Sequence, residues 1–127
     1  MAHIVLAEDD SAMRSFIAKA LEKAGHTVSA HGDGLEALGR FESAATQDGS
    51  NVDLLLADIV MPGMDGIELS QRATASHPNL KVMFITGFAA VAMDNAKTAQ
   101  SEQTKLLSKP FHLKDLVAQV DAMLAAS

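Results

Sequence analysis

Glu8, Asp9 and Asp10 in one acidic run, then Asp58, Thr86 and Lys109, are the residues of this 127-residue chain whose types could do chemistry together. A carboxylate can act as a nucleophile toward phosphorus, and the protein's remaining work in phosphoryl transfer is positioning and charge neutralisation along an in-line path. Asp58 is the candidate nucleophile and Glu8 and Asp9 are candidate metal ligands. The Lys109 amine would pair with an acceptor oxygen, and the Thr86 hydroxyl would donate to a phosphoryl oxygen. Carboxylates gathered within about 5 Å repel by roughly 3 kcal/mol per pair at an effective dielectric near 20, so positive charge must offset them. Lys109 supplies one charge. A hard divalent cation supplies the rest, and Mg2+ suits a site of few carboxylates completed by waters and phosphate oxygens.

These residues have to be positioned by the elements that precede them. Residues 4–7 are apolar and stop at Glu8; Met13, Phe16, Ile17, Ala20, Leu21 and Ala24 then recur at helical spacing. Asp10 or Ser11 is the expected N-cap of that helix and Gly25 its left-handed stop. A second strand is expected over 27–30, then a helix carrying Leu35, Ala37, Leu38 and Phe41, then a polar loop over 46–51. The nearly all-aliphatic stretch 52–57 predicts a central parallel strand covered on both faces and ending at Asp58. Pro62-Gly63 and Asp65-Gly66 mark the turn before a helix over 67–76, which Pro78 stops.

Residues 81–85 predict a buried strand ending at Thr86, followed by an Ala-rich helical segment over 88–99 and a polar loop over 100–104. A last strand over 105–108 runs into Lys109-Pro110, and a closing helix puts Leu113, Leu116, Val117, Val120 and Leu124 on one face, with 123–127 as a frayed end. Strands alternating with helices in this way predict an α/β fold, a doubly wound five-stranded parallel sheet of (βα)5 type. Ligands in such sheets gather at the carboxyl ends of the strands, where Glu8, Asp9, Asp58, Thr86 and Lys109 all fall.

Composition narrows the function classes. The 48% of hydrophobic residues suffice for one core, and no linker or repeat is visible, so one domain over residues 1–127 is expected. A net charge of −6 argues against a nucleic-acid partner, which needs clustered Lys and Arg. The chain has no cysteine, which excludes disulfides, thiolate metal sites and Cys nucleophiles. No apolar run approaches the roughly 20 residues that span a membrane, and the first run is too short for a signal peptide. A cytoplasmic monomer is the expectation. His3, His26, His31, His77 and His112 lack metal-ligand spacing, and Met61 and Met64 beside the Asp58 loop are read as packing residues.

Ala7-Glu8-Asp9-Asp10, the run from Asp58 to Gly66, Thr86-Gly87 and Ser108-Lys109-Pro110-Phe111, in this order, resemble the bacterial response regulator receiver domains. The resemblance covers essentially the whole chain and implies the flavodoxin-like, CheY-like receiver fold. It implies that Asp58 is phosphorylated by a histidine kinase or histidine phosphotransferase. It also implies that Asp9 ligates Mg2+ directly, that Glu8 acts through water, and that the Val60 carbonyl completes the protein ligands. A cis peptide before Pro110 is implied as well, aiming the Lys109 amine. The stretch 82–92, with Asp58-Ile59-Val60-Met61-Pro62 and the stretch 108–113, is similar to a subfamily of single-domain alphaproteobacterial cell-cycle regulators. That similarity implies control of substrate delivery to the ClpXP protease, through ClpX, by the unphosphorylated form.

Three positions depart from the family pattern. Leu106 stands where receivers that switch by an aromatic rotamer carry Tyr or Phe, so another rearrangement must report phosphorylation. Val60 and Phe88 occupy positions that modulate attack by water on the acyl phosphate; both are apolar, and slow autodephosphorylation is expected. Among other functions, a haloacid-dehalogenase-type phosphatase would need an Asp where Val60 stands, and a flavin carrier would not place three acids at its phosphate loop. A phosphorylation-independent adaptor and a phosphate sink for another partner remain the alternatives to a phospho-switched regulator. A turnover enzyme is not expected.

Overall fold

Five parallel strands form one sheet: β1 (His3–Ala7), β2 (Thr27–His31), β3 (Leu54–Asp58), β4 (Lys81–Thr86) and β5 (Thr104–Ser108), in the spatial order β2-β1-β3-β4-β5. Four helices are seen among the described residues: α1 (Ser11–Lys23), α2 (Gly34–Thr46), α3 (Gly66–Ser76) and α4 (Leu113–Ala125). The computed structural model describes residues 2–46, 52–61, 63–86, 104–108 and 111–125.

Side chains alternate across a strand, and the sheet sorts its apolar residues into two cores accordingly. Ile4, Leu6, Leu54, Leu56, Met83 and Ile85 pack with Ile17 and Leu21 of α1 and Leu116, Val120 and Met123 of α4. Val5, Ala7, Leu55, Ala57, Val82 and Phe84 pack with Ala37 and Phe41 of α2 and Leu69 and Ala73 of α3. Both faces of the central strands are therefore covered, which is why β3 reads as continuous aliphatic sequence rather than as an alternating pattern.

Local signals set the helix ends. The Met13 N–H donates to Asp10 Oδ1 at 2.9 Å, making Asp10 the N-cap of α1. Gly25, with φ of 101°, carries the chain out of that helix. Asp65 caps α3 by accepting from the Glu68 N–H at 2.8 Å.

Two expectations need correction. β3 begins at Leu54, not at Val52, and holds Asp58 as its last paired residue, opposite Ile85. Val52 is still buried, but its burial comes from the core under α2 and α3 and not from strand pairing. The closing helix does not fray at Met123. That side chain is 5% exposed within the α1/α4 core, and the Lys81 ammonium donates to its carbonyl, closing the helix end through Ala125. The expected helix over 88–99 lies outside the described residues, as does most of each of the two polar loops. Among the described residues no helix is long and apolar enough to cross a membrane.

Candidate functional site

Ala7 of β1 pairs with Ala57 of β3, so the next residues, Glu8 just past β1 and Asp58 at the last paired position of β3, lie side by side at the carboxyl edge of the sheet. The chain runs from β1 to β2 on one side and on to β3 on the other, and this reversal opens a crevice at the carboxyl ends of β1 and β3. One carboxylate oxygen from each of Glu8, Asp9 and Asp58 lies within 4.8 Å of the others. Glu8 is 0% exposed and Asp58 5%, whereas Asp9 is open to solvent, so the cluster is reached from the Asp9 side.

An oxygen-only set of this size suits a hard divalent cation. Octahedral ligands about 2.1 Å from such an ion stand roughly 3 Å apart when adjacent and roughly 4.2 Å apart when opposite, so the three oxygens, which lie within 4.8 Å of one another, would draw closer together to share one. The cluster could therefore hold a metal ion.

The backbone beneath the cluster is closely tied. The Glu8 N–H donates to the His31 carbonyl at 3.1 Å, and the Glu8 carbonyl accepts from Arg14 at 2.9 Å. The Asp10 N–H donates to Glu8 Oε2 at 3.2 Å. On β3, the Val60 N–H donates to Asp58 Oδ1 at 3.1 Å, the Ile59 N–H to the Ile85 carbonyl at 3.0 Å, and the Gly66 N–H to the Ile59 carbonyl at 2.9 Å.

Thr86 ends β4 opposite Ser108, is 1% exposed, and lies one strand over from Asp58. Val60 is 46% exposed beside Asp58. Met61 and Met64 are buried in the core under α2 and α3, as packing residues, and Leu106 is partly buried against that core. Lys109 and Pro110, with their peptide bond, and Phe88 lie outside the described residues. Three histidine side chains have partners of their own: His26 pairs with Asp121 at 2.7 Å, His31 with Glu36 at 2.9 Å, and His77 meets the Phe41 ring edge-on.

Sequence reasoning passed over two residues. Arg14 was one polar position on an amphipathic helix, and only the fold brings its guanidinium to Glu8. Gly66 looks like a turn residue in the sequence, yet a Cβ there would lie 2.3 Å from the Asp58 carbonyl oxygen, so α3 can start this close to Asp58 only from glycine. The Asp-Gly pair before a helix was the visible signal for it.

Buried acids at the switch point of a five-stranded parallel sheet define a known class. Residues 4–121 match the response regulator receiver domain, and the chain belongs to that family. It is similar to the response regulator receiver protein CpdR of Brucella abortus (strain 2308), 52% identical over 127 residues and covering 100% of each chain. The chain is also 37% identical over 123 residues to the sensor kinase CckA of the same strain, covering 97% of itself and 12% of the kinase. Among solved structures, the receiver domain from the hybrid histidine kinase CckA matches with a TM-score of 0.79 at 32% identity, covering 97% of this chain and 99% of that one.

Proposed function

We propose that this protein is a phospho-acceptor of a two-component relay, in which Asp58 takes a phosphoryl group from a phosphohistidine on a histidine kinase or histidine phosphotransferase. The convergence of the Glu8, Asp9 and Asp58 carboxylates within 4.8 Å at the switch-point crevice carries this reading. An Asp58 carboxylate oxygen attacks phosphorus in line, the P–N bond to the donor imidazole breaks, and an acyl phosphate is left on Asp58.

Glu8, Asp9, Asp58 and the Val60 carbonyl would hold Mg2+, whose charge when bound offsets that of the carboxylates and the phosphoryl oxygens. The Thr86 hydroxyl would donate to one phosphoryl oxygen and the Lys109 amine would pair with another. The apolar, exposed Val60 side chain has no group to orient an attacking water, which supports a long-lived acyl phosphate. Leu106 cannot flip as an aromatic would, so the change at Asp58 passes to the β4–β5 edge by another rearrangement.

The output is a change in protein contacts rather than turnover chemistry. Similarity to CpdR supports a regulator that acts in the cytoplasm and governs substrate delivery to ClpXP. The test is incubation with Mg2+ and acetyl phosphate or beryllofluoride, comparing wild type with Asp58→Ala by phosphate-affinity electrophoresis and by ClpX pull-down. Modification lost in Asp58→Ala, with ClpX binding weakened by phosphorylation, is expected. Modification that persists in Asp58→Ala would overturn the assignment of the acceptor, and phosphorylation without effect on ClpX would overturn the output.

A further inference from the structure

The acidic cluster is built on a loop whose geometry depends on a side chain outside it. Arg14 Nη1 donates to the Glu8 carbonyl oxygen at 2.9 Å. Its own N–H is anchored on the Asp10 carbonyl at 2.9 Å, within the start of α1. The same nitrogen faces the turn between β2 and α2: a Cβ placed on Gly32 would lie 3.1 Å from Arg14 Nη1 and 3.7 Å from Cζ. The same turn supplies the His31 carbonyl that receives the Glu8 N–H.

The Glu8 carbonyl belongs to the rigid peptide plane that also contains the Asp9 nitrogen. Whatever holds that oxygen sets the direction in which the Asp9 Cα leaves the strand. The carboxylates of Glu8, Asp9 and Asp58 repel one another, and the exposed Asp9 is the one free to swing away. We infer that Arg14 is a positioning residue for the metal ligands: wedged against Gly32, its guanidinium pins the Glu8–Asp9 peptide so that the Asp9 carboxylate stays with Asp58. This rests on the reading of Glu8, Asp9 and Asp58 as ligands.

A guanidinium beside a cation site has a second, opposite effect. Its charge disfavours a bound cation, so removing it would tighten binding if charge were all that mattered. Variants that keep the charge isolate the pinning. Arg14→Lys keeps the charge but loses the fork that reaches the carbonyl, and Gly32→Ala leaves Arg14 in place while pushing its tip.

Calorimetric titration of Mg2+ into the whole protein tests this with wild type, Asp9→Asn, Arg14→Lys, Gly32→Ala and the Arg14→Lys/Gly32→Ala pair. Arg14→Lys should weaken binding roughly three- to tenfold, at or below the low end of losses seen when ligand-orienting groups are removed. Gly32→Ala should weaken it roughly twofold, and the pair no further than Arg14→Lys alone, because both act through one contact. Should Arg14→Lys fail to fold by circular dichroism, Gly32→Ala still decides. Unchanged or tighter binding in the charge-preserving variants, with binding abolished in Asp9→Asn, would overturn the role of Arg14 and leave the ligand reading standing. Absence of Mg2+ binding by wild type would remove the ligand reading itself, and this inference with it.

Discussion

Replacing Gly66 with alanine puts a methyl group where main chain already stands. The new Cβ would lie 2.3 Å from the Asp58 carbonyl oxygen, 3.0 Å from the Asp58 carbonyl carbon and 3.1 Å from the Ile59 Cα. Non-bonded heavy atoms settle near ~3.5 Å, so about 1 Å of movement is required. None of the obstacles is a side chain that can rotate away. The Ile59 N–H is tied to the Ile85 carbonyl at 3.0 Å, and the Gly66 N–H to the Ile59 carbonyl at 2.9 Å, so relief has to shift α3 or the end of β3. Overpacking that forces backbone shifts costs about 1–3 kcal/mol, and this case belongs at the upper end, near ~3 kcal/mol. Gly39 is the control. It lies inside α2 with nothing within 4 Å of its Cβ position, so Gly39→Ala should stabilise by about 0.5–1 kcal/mol. Urea denaturation should place the two variants on opposite sides of wild type, with a spread near ~4 kcal/mol. At roughly 4 °C per kcal/mol that is a spread of about 15 °C in thermal midpoint. A Gly66→Ala protein within about 0.5 kcal/mol of wild type would refute the claim that α3 is wedged against the Asp58 backbone.

Two further outcomes follow from charge. Asp58→Asn removes one of three mutually repelling carboxylates, so the metal-free protein should gain roughly 1–3 kcal/mol by calorimetry in chelator. It should also lose the Mg2+-induced stabilisation, which for wild type is about 1.4 kcal/mol at ten times the dissociation constant; equal Mg2+ stabilisation of the variant would exclude Asp58 as a ligand. Burial holds the His3 imidazole below its ordinary value of 6.5, with Arg40 adding to the shift and Asp53 partly opposing it. The unfolded chain then protonates first, so this contribution to stability is present above pH 6.5 and lost as pH falls through the lowered folded value. His3→Gln should flatten denaturation midpoints measured between about pH 7 and pH 5, and an unchanged slope would dismiss His3 as a source of acid sensitivity.

Much of the fold was legible because its signals are local. The aliphatic run before Asp58, the cap at Asp10 and the stop at Gly25 act through neighbouring residues, and each holds in the structure. Strand and helix ends that depend on distant partners were harder to read. Val52 looks like strand but is buried without being paired, and Met123 looks like a loose end until Lys81, from another strand, closes it. Leu106 is partly buried and follows the apolar pattern expected of a sheet strand.

By itself the sequence determined which chemistry was available: acids after one strand, an acid after another, and a threonine and a lysine after two more, with no cysteine and a negative balance of charge. Those are properties of residue type and of position along the chain, and spacing is enough to expose them. Only the tertiary structure decided how the acids meet. Register between β1 and β3 sets Glu8 beside Asp58, Gly66 lets α3 approach the Asp58 backbone, and Arg14 reaches back to the Glu8 carbonyl near Gly32. These are contacts between elements remote in sequence, made through shape and hydrogen-bond direction, which periodicity and composition do not encode.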